Sequence, residues 1–269
     1  MARKEKLNTS DAKRHGGGRK ALKFILALCL LLCIFGGVWA LLVWLERAMF
    51  SRNPHFILRG VETSSRGYWN GRNRLIESEL ELKLDHDNLF ALDLKTLRHK
   101  LIGIPNIKDA SVERVLPDLL RIQLEERIPR AVVRGRREAV VVDESTVIMP
   151  AIYYRKLAGA LPKINGLDSG LNLIPGNDIP EVQSAVDLLM VAVMYFPEFK
   201  IHEIWVSDPD RLSFTADYKR RVYKVFFPRR PANFNHAFMQ LREAIETNVR
   251  NGLYRISYDL THESRVITR

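Results

Sequence analysis

A chain of 269 residues has room for one large domain, or for two modest ones beside a membrane segment. With 46% apolar and 27% charged residues it lies far from the composition of a disordered chain. The net charge of +11 is distributed unevenly: residues 1–23 hold eight basic side chains against Glu5 and Asp11, so the folded remainder is only mildly basic. That remainder shows no clustered Lys/Arg interleaved with aromatics, which argues against nucleic acid as a partner.

Residues 1–23 are expected to be a basic tail, and its Gly16-Gly17-Gly18-Arg19-Lys20 stretch lacks the preceding strand that a phosphate loop needs. Phe24–Leu45 is uncharged over 22 residues. At about 1.5 Å per residue it is long enough to cross the hydrocarbon core of a lipid bilayer. Basic residues on its N-terminal side keep that side in the cytoplasm, and Trp39 and Trp44 lie near the opposite interface. A cleaved signal peptide has a shorter apolar region and a small-residue cleavage site, so the run reads as an uncleaved anchor with the bulk of the chain outside the cytoplasmic membrane. The only cysteines, Cys29 and Cys33, fall within the run. The outer portion therefore has neither disulfides nor a thiol nucleophile.

Beyond the anchor, Phe56–Glu62 reads as a strand, Arg74–Leu84 as a helix, and Leu94–Leu101 as a short helix capped by Asp93 and stopped at Gly103 and Pro105. Val112–Pro129, "VERVLPDLLRIQLEERIP", forms a hairpin. Ala110 and Val112 alternate with polar residues before Pro117-Asp118, and Leu120, Ile122 and Leu124 do so after it. The order strand–helix–helix–strand–strand defines a small α+β domain over 54–133. A β-rich domain with two helices follows over 134–269. Its strands are expected at Ala139–Asp143, Thr146–Met149, Ile201–Ser207, Arg211–Ala216 and Arg221–Phe227. Its helices are expected at Ile179–Phe196 and Phe234–Asn248, each with an apolar face at i, i+3, i+4 spacing. In the last segment Tyr254, Ile256, Tyr258 and Leu260 alternate with Arg255, Ser257 and Asp259, predicting a final strand.

Catalytic signatures are scarce. Asp85-His86-Asp87 is too local to converge on one metal ion, and Glu125-Glu126 on a strand point to opposite faces. No catalytic, cofactor or metal site is expected, and the chain reads as a binder.

The stretch "DNLFALDLKTLRHKLIGIPNIKDASVERVLPDLLRIQLEERIPRAVV" resembles the POTRA domain of the FtsQ/DivIB cell-division family. The matching positions are Asn88, Phe90, Asp93, Pro105, Ala110, Val112, Arg114, Pro117, Leu120, Ile122, Glu126, Arg127, Pro129 and Ala131. "VVDESTVI", "LPKINGL" and "ISYDL" are similar to later motifs of that family, with Thr146 where the family often carries Gly. The resemblance implies a non-enzymatic, bitopic scaffold of the divisome in the bacterial inner membrane, located at the septum. Its implied partners are FtsB/DivIC-like and FtsL-like coiled-coil proteins. A last strand at a sheet edge would leave peptide groups free for a partner strand. Tyr254, Ile256, Ser257, Tyr258, Asp259 and Leu260 are the expected partner-binding residues. A POTRA adaptor in secretion or outer-membrane assembly, and a membrane-anchored cell-wall enzyme, are the alternatives.

Overall fold

The computed structural model describes residues 16–46, 49–50, 53–135, 139–168, 171–229, 233–261 and 267–268. The first element, helix α1 (Gly16–Glu46), begins within the expected tail, so the basic residues just before the apolar run continue its helix. The rest of the tail, residues 1–15, lies outside the described residues. Leu22–Glu46 is apolar and long enough to cross a membrane.

A three-stranded sheet follows. Strand β1 (Gly60–Ser64) leads into helices α2 (Asn73–Leu80) and α3 (Leu94–Ile102), then β2 (Ile107–Val115) and β3 (Leu119–Glu126). The spatial order is β1-β3-β2, with β1 parallel to β3 and β2 antiparallel to it. The first strand starts later than expected because Pro54–Phe56 form a 3-10 turn capped by the Asn53 side chain. Helix α2 ends short of Leu84 because Glu81 adopts a left-handed conformation, φ 57°, and closes it. Asp93 caps α3 as expected, its carboxylate accepting from Lys95 N at 3.0 Å and from Thr96 Oγ1 at 2.7 Å. The inward residues of the hairpin, Ala110, Leu120, Ile122 and Leu124, join Ile76, Leu80, Leu97 and Leu101 in one core, with Val112 half-buried against it.

The second sheet has nine strands. They are β4 (Ala131–Arg134), β5 (Ala139–Val142), β6 (Ile148–Met149), β7 (Lys163–Asn165), β8 (Lys200–Trp205), β9 (Arg211–Tyr218), β10 (Arg221–Pro228), β11 (Ser257–Asp259) and β12 (Ile267–Thr268). They lie in the order β12-β11-β10-β9-β8-β7-β4-β5-β6. Because β4 belongs to this sheet, the domains meet at 127–130, a few residues before the expected boundary at 134. A short helix α4 (Arg155–Ala158) follows a 3-10 turn at Ala151–Tyr154. The longer helices α5 (Gln183–Tyr195) and α6 (Phe234–Arg250) are the two expected from periodicity. The apolar stripe of α6, Phe234, Ala237, Phe238, Leu241 and Ile245, is buried with the inward faces of β8–β10 and with Val182, Ala185, Val186 and Leu189. On the opposite side Val132, Val141 and Met149 are covered by Tyr154, so the 3-10 turn closes a second, smaller cluster.

Candidate partner-binding edge and domain junction

Chain direction decides what the last segment offers. Helix α6 ends at Asn251, and Gly252 turns the chain at φ 72°, a conformation that suits a residue without Cβ. Residues 253–256 lead back to β11, which runs parallel to β10 with Lys224 opposite Ser257. Tyr258 lies directly behind that pair. It is 1% exposed, its ring stands 5.8 Å from Tyr223, and its hydroxyl accepts from Asn248 Nδ2 at 3.2 Å. Leu260 is buried as well.

The expected free edge at Tyr254–Leu260 is therefore corrected in two respects. The strand itself covers Ser257–Asp259, with bonds to β10 at its two ends from Lys224 N to Ile256 O and from Leu260 N to Phe226 O, both 2.9 Å, and β12 occupies its outer side through Tyr258–Thr268 and Asp259–Ile267 pairs. Asp259 turns its carboxylate to the next residue, accepting from Thr261 N at 3.0 Å and Thr261 Oγ1 at 2.6 Å. Tyr254 precedes these bonds and Ile256 enters them through its carbonyl alone, and the two residues remain 66% and 71% exposed. Alternation places them in phase with Tyr258, yet unlike it they are exposed. The Arg221 guanidinium sits 4.4 Å above the Tyr254 ring. Beside it Tyr218, Lys219, Tyr223, Glu246 and Val249 line a hollow of about 510 Å³. Glu246 accepts from Lys219 Nζ at 2.9 Å and Tyr218 OH at 2.8 Å. Lys219 first, then the tyrosine, holds the Glu246 carboxyl below its usual range. Among the described strands the outer edge of the sheet is thus β12, with Ile267 exposed on it opposite Asp259.

Of the two adjacent carboxylates near the end of β3, Glu125 pairs with Lys108 at 3.2 Å. Glu126 does something more specific. Its carboxylate accepts from Tyr68 N at 2.7 Å, Trp69 N at 2.8 Å and the Ser65 hydroxyl, gathering the 65–69 loop onto the end of β3. Gly67 makes room for this, since a Cβ there would stand 2.6 Å from Glu126 Oε2. The next residue faces the other domain: Arg127 Nη1 meets Asp143 Oδ2 at 2.7 Å, while Asp143 Oδ1 accepts from Ser145 N and Val147 N, both at 2.9 Å. Tyr154 donates to the Arg127 carbonyl at 3.0 Å, and burial, reinforced by the Glu126 and Asp143 charges, pushes its hydroxyl well up, so it remains a donor. Tyr153 stands edge-on to Tyr68 with centroids 4.8 Å apart. Adjacent Glu126 and Arg127 thus fasten the two domains in opposite directions. Composition shows the charges, but their partners lie about 60 and 16 residues away.

The remaining candidates resolve as turns. Asp85 has φ 62°, and Asp87 Oδ2 accepts from Lys83 N at 2.7 Å. Among the described residues, three or more His, Cys, Asp or Glu side chains nowhere group as metal ligands.

An apolar helix of membrane-spanning length followed by a β-α-α-β-β unit with its first and last strands parallel defines a POTRA-bearing chain with one candidate membrane span. Residues 72–127 match the family model described as POTRA domain, FtsQ-type, so the chain carries a POTRA domain of that type. It is similar to proteins named cell division protein FtsQ from three organisms. Identity is 35% over 94 residues with that of Novosphingobium aromaticivorans, covering 34% of this chain and 29% of the relative. With that of Koribacter versatilis it is 23% over 199 residues, covering 73% and 55%. With that of a Jannaschia species it is 29% over 98 residues, covering 36% and 32%. The chain thus aligns with about a third to about half of the length of these relatives, and the family resemblance read from the sequence is borne out.

Proposed function

We propose that this protein is a non-enzymatic, bitopic scaffold of the cell-division machinery. It binds FtsB/DivIC-like and FtsL-like coiled-coil partners outside the cytoplasmic membrane through its second domain. Its FtsQ-type POTRA domain and its relatives' names support a role in division. The candidate membrane helix, with basic residues before it, supports an inner-membrane anchor whose N-terminus is cytoplasmic and whose folded bulk reaches the septum from outside.

The observation that carries the binding mode is the end of the nine-stranded sheet. Strand β12 has a neighbour on one side only among the described strands; Ile267 on it, and Tyr254 and Ile256 in the segment leading into β11, are exposed apolar side chains. A partner strand adds to the outer side of β12, main-chain bonds giving affinity and these side chains giving selectivity. Ser257, Tyr258, Asp259 and Leu260 support that edge from behind, rather than receiving the partner directly. The test is co-purification of the full chain with a candidate coiled-coil partner. Tyr254→Asp with Ile256→Asp is expected to lower capture at least about tenfold, as loss of a desolvated hot spot does, without changing the melting temperature. Undiminished capture rejects this edge as the site. A fluorescent fusion that does not gather at mid-cell rejects the division role itself, leaving the secretion adaptor as the reading to pursue.

A further inference from the structure

The junction between the domains leaves a groove of about 810 Å³. One wall comes from the 65–72 loop, the floor from 126–129, and the other wall from the 3-10 turn and α4 at 152–157. Its chemistry is one-sided. Arg66, Arg72, Arg155 and Lys156 are exposed on its rim and form no ion pair among the described residues. The one carboxylate in the lining, Glu126, is already taken up by three donors from the 65–69 loop. Between the cations lie Ile128, Ile152 and Leu157, each more than half exposed, against the Tyr68 and Tyr153 rings.

We propose that this groove is a second docking site, independent of the β12 edge, for an extended acidic peptide segment that carries aliphatic side chains and belongs to a partner polypeptide. Carboxylates of the segment meet these four cations, and its aliphatic residues cover Ile128, Ile152 and Leu157. Charge complementarity selects the occupant: Arg66, Arg155 and Lys156, with Arg72 stacked 4.0 Å over the Tyr68 ring, surround an apolar strip without an ion pair and favour a ligand with the opposite sign and the same alternation. Position argues for a peptide over a lipid surface. The segment arriving from the membrane helix packs at the start of β1, where the Phe50 and Phe90 rings lie 5.0 Å apart and Asn88 Nδ2 donates to Asn53 O at 3.0 Å. The groove opens beyond the other end of that strand, about 17 Å further along for its five residues.

The experiment uses the full chain in nanodiscs of phosphatidylcholine and a short fluorescein-labelled peptide of alternating Glu and Leu, followed by anisotropy. Saturable binding that weakens with added salt is expected. Arg155→Glu with Lys156→Glu is expected to weaken it at least about tenfold, and a peptide of alternating Lys and Leu should not bind. These two side chains are exposed on a short helix, so an unchanged melting temperature accompanies the loss. A separate variant, Ile152→Cys, reads occupancy through its rate of reaction with a water-soluble maleimide, which the Glu-Leu peptide is expected to slow. Equal affinity in the charge-reversed chain overturns the proposal. So does equal binding of the Lys-Leu peptide. Slowing of the maleimide reaction by phosphatidylglycerol in the nanodisc, with none by the peptide, overturns it in favour of a lipid contact.

Discussion

Single positions in this chain are decided by what lies within a few ångströms of them. Asp143 is nearly buried, and Arg127 is the cation that compensates it. Removing one partner of such a pair strands the other, so Arg127→Met should cost about 2 kcal/mol in denaturant unfolding. That is below the loss for a fully buried pair because Arg127 keeps some contact with water. Gly166 has φ 86°, and a Cβ there would meet Ser207 Oγ at 2.1 Å. Gly166→Ala should therefore cost about 2 kcal/mol by the same measurement, from left-handed backbone strain plus the clash. The sequence marks this position only as the end of a turn. It hides the reason, because Ser207 comes from the far side of α5. Thr146 tells a similar story: it adopts φ 61°, a left-handed conformation that glycine takes without strain.

Among the elements, those with a strong period were legible and those without were not. The five-residue stripe of α6 announces its buried face, and Phe238, fully buried against Phe196, Phe214 and Phe227, is its centre. Phe238→Ala should lower stability by about 4 kcal/mol in chemical denaturation, through the lost transfer energy and the cavity left behind. Strand alternation was a weaker guide. At 254–260 it fixes which side chains share a face, yet it cannot say that hydrogen bonding to β10 begins only at the Ile256 carbonyl, which accepts from Lys224 N at 2.9 Å. Strand β12 has two residues, too few to carry any period. Strand β4 reads as an apolar continuation of the hairpin before it, because its allegiance to the second sheet is set by Val132 and Val133 pairing with β5 and β7. The end of the sheet among the described strands is therefore β12, not the segment 254–260 that alternation marks out.

For the molecule as a whole, exposed carboxylates set the response to acid. Lys100 lowers Glu81, the Thr96 hydroxyl lowers Asp93, the Ala110 amide lowers Asp109, the Asp210 amide lowers Asp208, and Lys219 lowers Glu246. Each folded value lies below its unfolded one, so each contribution is complete above the ordinary carboxylate range and disappears as pH falls through the folded values. The melting temperature followed by circular dichroism should hold near neutrality and decline steadily below about pH 4. A flat profile down to pH 2 would contradict this assignment. The nine-stranded sheet has one further consequence. Eight inter-strand steps of about 4.8 Å separate β6, beside the domain junction, from β12, a reach of about 38 Å. A sheet of that breadth acts as a rigid spacer, so a visitor at each end would neither touch nor crowd the other. Ligands at the two extremities should then add without cooperativity, and one anchored chain can hold two neighbours apart at a set distance.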